Sequence, residues 1–261
     1  MFALKSLSNS VKALVMSDLH LEHGNNIEIP IIEGVKFLIL AGDIGSYQSH
    51  LDFIKDCASK YTVIYILGNH EFYGFTLKEV RDFWSSVKID NFHFLDNSSV
   101  VIDGIEFIGS TLWIDFDRQN FHTMYNAPTE IKDFQKIFNA NNDEYITPED
   151  IYSEFEKSYA CLKEALYNDN GYVKVLVTHY GFSHQSVHPS YREHQSDLKM
   201  NHYFTNDLDN FIGNSLAKIA IHGHMHTSAD YMLGDVHVVC EPVGYPNAIN
   251  PEFHFKVIDL K

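Results

Sequence analysis

The stretch Val11-Lys12-Ala13-Leu14-Val15-Met16-Ser17-Asp18-Leu19-His20 joins an apolar run of strand length to an abrupt polar ending. Short apolar runs of Val, Ile, Phe and Tyr bounded by polar or Gly residues have the signature of buried strands. The same pattern recurs at Val35–Ala41, Thr62–Leu67, Ile105–Gly109, Val173–Thr178, Lys218–Ile221, Val236–Cys240 and Phe253–Ile258. Helical patterns lie between these runs. The clearest starts at Pro148 and runs to about Tyr167, with Thr147 and Asp150 placed as a capping box and Ile151, Phe155, Tyr159, Leu162 and Leu166 on one face. Shorter helices are predicted over Ser49–Ser59 and Thr76–Val87. Strand–helix alternation in the first ninety residues, followed by closely spaced strands, predicts an α/β sandwich with helices covering both sheets.

Composition narrows the class of function. The 261 residues carry 35 acidic and 19 basic side chains, a formal charge of −16, which disfavours extended nucleic-acid binding and anionic membranes. Cys57, Cys161 and Cys240 are widely spaced and never form C-x-x-C, so neither a disulfide framework nor a thiolate zinc site is expected. With no apolar leader pattern in the first twenty residues and no run of membrane-spanning length, a cytoplasmic, unprocessed protein is expected. Two stretches escape the regular pattern. Asp115–Tyr145 is expected to be a lid or small helical insertion, and Tyr180–His202 is aperiodic and rich in histidine.

Five polar clusters each follow a strand-like run: Ser17-Asp18-Leu19-His20, Gly42-Asp43, Gly68-Asn69-His70-Glu71, Thr178-His179 and Gly223-His224-Met225-His226. Residues beyond the carboxyl ends of strands in an α/β sheet converge on one crevice, so clusters far apart in sequence share a site. Two carboxylates, one carboxamide and four imidazoles offer seven oxygen and nitrogen donors, too many for one tetrahedral ion and suited to two ions sharing a carboxylate. Gly42, Gly68 and Gly223 are suited to sharp strand exits close to such ions.

The ordered set D-x-H, G-D, G-N-H-E, H and G-H-x-H, spanning Asp18 to His226, resembles the calcineurin-like metallophosphoesterase superfamily. That resemblance implies a four-layer αββα sandwich with two mixed sheets and a dinuclear metal site at the sheet edge. It implies that Asp18, His20 and His226 hold one ion, that Asn69, His179 and His224 hold the second, and that Asp43 bridges them. It further implies hydrolysis of a phosphate ester by attack of a metal-bridging hydroxide, with His70 facing the phosphate as acid or charge stabiliser. Two divalent transition metal ions (Mn, Fe, Zn, Ni or Co) are expected, with Mn first among them.

The phosphate-gripping arginine of G-D-x-x-D-R-G is missing, since Gly42-Asp43 runs on as Ile44-Gly45-Ser46-Tyr47. A phosphodiesterase or small-nucleotide hydrolase is therefore expected over a protein phosphatase or other phosphomonoesterase. The rival class is a binding scaffold that keeps this fold without turnover, which loss of His70 or several donors would signal. Arg118, Arg192 and Tyr180 are the candidate substrate contacts, the arginines as grips for a second phosphate, with Trp113, Phe116, Phe121, His122, Tyr125, His184, His188 and Tyr191 as further wall candidates. Glu71 is expected to orient a neighbouring histidine or form a salt bridge, and His222, His237 and His254 to be structural. Asn97-Ser98-Ser99, which matches a glycosylation sequon, is read as a turn.

Overall fold

The computed structural model describes residues 10–261, so the expectation for the first twenty residues falls partly outside it. Strands β1 (Lys12–Met16), β2 (Val35–Ala41), β3 (Thr62–Ile66) and β4 (Phe92–Phe94) run parallel in one sheet. The second sheet contains β5 (Ser98–Ile102), β6 (Ile105–Ser110), β7 (Val173–Thr178), β8 (Ala217–His222), β9 (Ala229–Leu233) and β10 (Val236–Cys240), in the order β5-β6-β7-β8-β10-β9. A small hairpin joins β11 (Gly244–Tyr245) to β12 (Ala248–Ile249). Strand β13 (Lys256–Asp259) then closes the first sheet antiparallel to β1. Both large sheets are mixed.

Alternation along each strand assigns the two faces. Ala13, Val15, Phe37, Ile39 and Ile64 meet Phe107, Val175, Val177, Ile221 and Val239 in a core between the sheets. On the outer face of the first sheet, Leu14, Leu38, Leu40 and Val63 pack with Ile54 and Cys57 of helix Leu51–Lys60 and Val80 and Trp84 of helix Leu77–Ser86. The second sheet buries its outer face against helix Pro148–Tyr167 through Ile151, Phe155, Leu162 and Leu166. This is the four-layer αββα arrangement. The capping box at Thr147 and Asp150 forms as read from sequence.

Five strands escaped the sequence pattern, among them the two-residue β11 and β12. β4 is only three residues long, while β5 and β9 lie at or near sheet edges with half-exposed faces, so none carries a continuous apolar run. The predicted strand at Phe253–Ile258 is shifted to Lys256–Asp259 because the aromatics Phe253 and Phe255 belong to the preceding loop. Within 115–145, helix Phe121–Glu130 is preceded by a single turn at Phe116–Gln119 whose four residues all have positive φ, from 54° to 61°. The stretch from Tyr180 to His202 holds short 3-10 turns at His184–Ser186 and Pro189–Tyr191 and helix Gln195–Asn201. Asn97 takes a left-handed turn conformation just ahead of β5. Among the described residues no helix is long and apolar enough to cross a membrane.

Candidate metal centre

The parallel strands β1, β2, β3, β7 and β8 all end at one edge of the sandwich, and their exit loops are tied to each other. The backbone N–H of Asp18 donates to the Gly42 carbonyl, that of His20 to Asp43, and that of Gly223 to His179. Room between the loops is minimal. A Cβ at Gly68 would lie 2.1 Å from Asp43 Oδ1, and one at Gly42, where φ is +85°, would lie 2.5 Å from His179 Nδ1.

The structure brings together all seven donors read from the sequence, and His70 with them. Asp18, His20 and His226 form one cluster, with His20 Nε2 3.0 Å from His226 Nε2 and His226 Nε2 3.3 Å from Asp18 Oδ1. Asp43, His179 and His224 form another, joined by Asn69: His179 Nε2 lies 3.1 Å from Asn69 Oδ1, 3.2 Å from His224 Nδ1 and 3.4 Å from Asp43 Oδ1. Asp43 turns Oδ1 to the second cluster and Oδ2 to the first, 3.8 Å from His20 Nε2.

These separations test whether ions fit. Two donors about 2.1 Å from one ion are about 3.0–3.4 Å apart at ordinary coordination angles, close to the spacing found. The ring orientations agree. His179 Nδ1 faces the Ala41 carbonyl at 2.9 Å and His20 Nδ1 faces Glu22 Oε1 at 3.2 Å, which leaves each Nε2 aimed at its cluster. The Asn69 amide donates to Asp133 Oδ1 and to the Tyr73 hydroxyl, fixing its oxygen toward His179. The Asp133 carboxylate also accepts from the hydroxyls of Tyr73 and Tyr180.

Electrostatics point the same way. Burial disfavours a charged His179, yet Asp43, with Asp18 behind it, pushes its pKa up to about 10. Burial and the neighbouring Asp43 carboxylate push Glu71 up to about 8. Both shifts express a demand for positive charge beside Asp43, which divalent ions would meet.

His70 is held from both sides. Its Nδ1 lies 2.9 Å from Glu22 Oε1, and its Nε2 faces the Tyr245 hydroxyl at 3.0 Å and Asp43 Oδ2 at 4.0 Å. Tyr245 also stacks on His20 with ring centroids 4.2 Å apart. Sequence reasoning had no signal for Tyr245, which arrives on a two-residue strand, nor for Asp133 inside the aperiodic 115–145 stretch. Glu22 did carry one, two positions after His20 in the Asp-x-His-x-Glu run.

Other expectations are corrected. Glu71 orients no histidine: it is fully buried and accepts from the backbone N–H groups of Asp43, Ile44 and Gly68 and from the Tyr65 hydroxyl, cross-tying two strand exits. Tyr180 is buried behind His224, bonded to Asp133, and does not face the cleft. Arg118 pairs with Asp207 on the surface, and Arg192 caps the carbonyls of Val187 and Gln185, so neither guanidinium reaches the donors. Trp113 and Phe116 are core residues, whereas Phe121 and Tyr125 are exposed and stack on each other. Of the expected wall residues, His188 and Tyr191 do line the cleft, a cavity of about 550 Å³ opening from the donors between residues 130–133 and 187–204. His222 is buried and bonded to Ser186, and His237 pairs with Asp230, both structural roles.

An αββα sandwich that presents aspartates, histidines and one asparagine from successive strand ends defines a metal-dependent phosphoester hydrolase. The chain belongs to the calcineurin-like phosphoesterase family, whose model matches residues 11–228. An uncharacterized protein of Acanthamoeba polyphaga mimivirus is 24% identical over 273 residues, covering 94% of this chain and 95% of its own. Among solved structures, a phosphopantetheinyl hydrolase from Mycobacterium tuberculosis is similar with a TM-score of 0.71 at 16% identity over 96% of both chains. A dimetal phosphatase from Danio rerio gives 0.54 at 13% identity over 96% of this chain and 92% of its own. At these identities the structural likeness speaks to the fold.

Proposed function

We propose that this protein is a dinuclear metal-dependent phosphoesterase acting on a phosphodiester or small nucleotide in the cytoplasm, with the whole chain as one domain and 115–145 as its insertion. The observation that carries the reading is Asp43, whose two oxygens face two separate donor clusters. In this reading Asp18, His20 and His226 hold one ion, Asn69, His179 and His224 the other, and Asp43 both. Divalent ions bound there supply charge for the phosphoryl oxygens and lower the pKa of water so that a nucleophile exists near neutral pH. Manganese is the first ion to try.

The chain's own residues do the rest. Glu71 fixes the Asp43 and Gly68 backbones, so the shared carboxylate keeps its direction. Glu22 holds His70 Nδ1, leaving Nε2 to hand a proton to the leaving oxygen. Tyr245 stands beside that nitrogen and closes one side of the cleft. The intact donor set and His70 favour turnover over a silent scaffold.

Elemental analysis of purified protein, with a panel of phosphodiesters, phosphomonoesters, cyclic nucleotides and a phosphopantetheinyl ester, tests this. Chelation is expected to abolish hydrolysis and manganese to restore it. Asp43→Ala is expected to lose both ions and the activity; unchanged turnover or full metal content in that variant defeats the assignment.

A further inference from the structure

Beyond the candidate metal donors, the cleft is largely apolar on its sides and carries one lysine in its lining. Ile131, Val187, Tyr191, Met200, Tyr203 and Phe204 supply the apolar surface. The charged side chains outside the donor clusters are Glu130, Asp133 and Asp197 against Lys132. Asp133 is committed to Asn69, Tyr73 and Tyr180, and Glu130 and Lys132 are both exposed, so their opposite charges are screened alike and half-buried Asp197 is left as the main charge of the outer cleft. The two arginines nearest in sequence are spent elsewhere, Arg118 on Asp207 and Arg192 on two carbonyls.

The strong attraction for an anion is therefore confined to the donor clusters. A second phosphate placed further out would meet half-buried Asp197, with Glu130 offsetting Lys132 and no guanidinium to neutralise it, and desolvating an unpaired charge is costly. An uncharged ring would meet tyrosine and phenylalanine faces and lose only apolar hydration. Building on the phosphoesterase reading above, we infer that the cleft takes a single phosphoryl group carrying an uncharged, ring-bearing arm such as a nucleoside, and discriminates against substrates with a second phosphate.

Calorimetric titration of metal-loaded His70→Ala protein, which cannot consume the ligands efficiently, tests the inference with inorganic phosphate, thymidine 5′-monophosphate and thymidine 3′,5′-bisphosphate. The monophosphate is expected to bind about ten-fold tighter than either of the others. A bisphosphate that binds as tightly as the monophosphate, or a monophosphate no tighter than phosphate, overturns it. In a Glu130→Lys, Asp197→Lys double variant the preference is expected to shift toward the bisphosphate; an unmoved ratio overturns the electrostatic basis. Failure of native, metal-loaded protein to hydrolyse any ester would count against the phosphoesterase reading alone, since the binding ranking decides the inference separately. Binding of none of the three overturns both.

Discussion

In the proposed reaction, His70 is the residue at which ion binding and chemistry part company. Its ring is not counted among the donors, yet Glu22 and Tyr245 fix both nitrogens within the cleft. Replacing it with alanine is therefore expected to leave metal content intact while kcat falls by about 10²–10⁴. The loss should be smaller for a nitrophenolate leaving group than for an alkoxide, which needs its proton sooner. Equal losses across leaving groups, measured in steady-state assays of matched diesters, would reduce His70 to a phosphate contact. At this scale the sequence was legible for the placement of the candidate donors that follow a strand directly: Asp18, Asp43, Asn69, His179 and His224 all sit within two residues of a predicted strand end or its glycine, and the fold gathers them at one edge. It was illegible for the arginines. A guanidinium is long enough to be claimed by whichever carboxylate or carbonyl the tertiary fold places nearby, and no local pattern announces that choice.

At the level of elements, the stretch 115–145 reaches the centre through one side chain. The 3-10 turn Lys132–Gln135 places Asp133 where it accepts from the Asn69 amide at 2.8 Å, so a segment outside the regular strand–helix pattern sets the direction of a donor oxygen. Without that acceptor the Asn69 amide keeps only the Tyr73 hydroxyl as partner, and the tie that turns its oxygen toward His179 is weakened. Asp133→Ala is expected to weaken the second ion by about ten-fold or more while sparing the first, read by competition with a metallochromic chelator. Equal weakening of both ions, or of neither, would detach the segment from the centre. The element boundaries themselves followed the apolar runs closely, as at Val173–Thr178 and Pro148–Tyr167. What the runs could not show was pairing: the edge strand β5 alternates between solvent and partial cover, and its place beside β6 comes from the turn at Asp103–Gly104.

For the whole molecule, acid sensitivity follows from a histidine outside the centre. His50 is buried, stacked on Trp84 and bonded to the Tyr65 hydroxyl, and burial pushes its pKa down to about 3 from an ordinary value of 6.5. The unfolded chain therefore takes up a proton that the folded chain refuses. The stability His50 withholds is untouched above pH 6.5 and drains away as pH falls from there toward 3, amounting to about 2 kcal/mol at pH 5. A His50→Gln variant is expected to show a correspondingly smaller difference between unfolding free energies at pH 7.5 and pH 5, measured by denaturant titration of the metal-loaded proteins. An identical difference in both proteins would show that His50 is not the sensitive group. His222, whose pKa is also lowered, to about 4, contributes in the same sense to both proteins and cancels in that comparison.

Five of the seven candidate donor residues, Asp18, His20, Asp43, His224 and His226, hold φ between 47° and 67°, a region that costs side-chain-bearing residues on the order of 1 kcal/mol each. Glycine would relax every one of these positions. Drift toward greater stability thus runs directly against retention of the donors. A relative that had exchanged these aspartates and histidines for glycine would gain backbone ease as it lost its catalytic life, so in this architecture a sturdier chain is the expected mark of a retired enzyme.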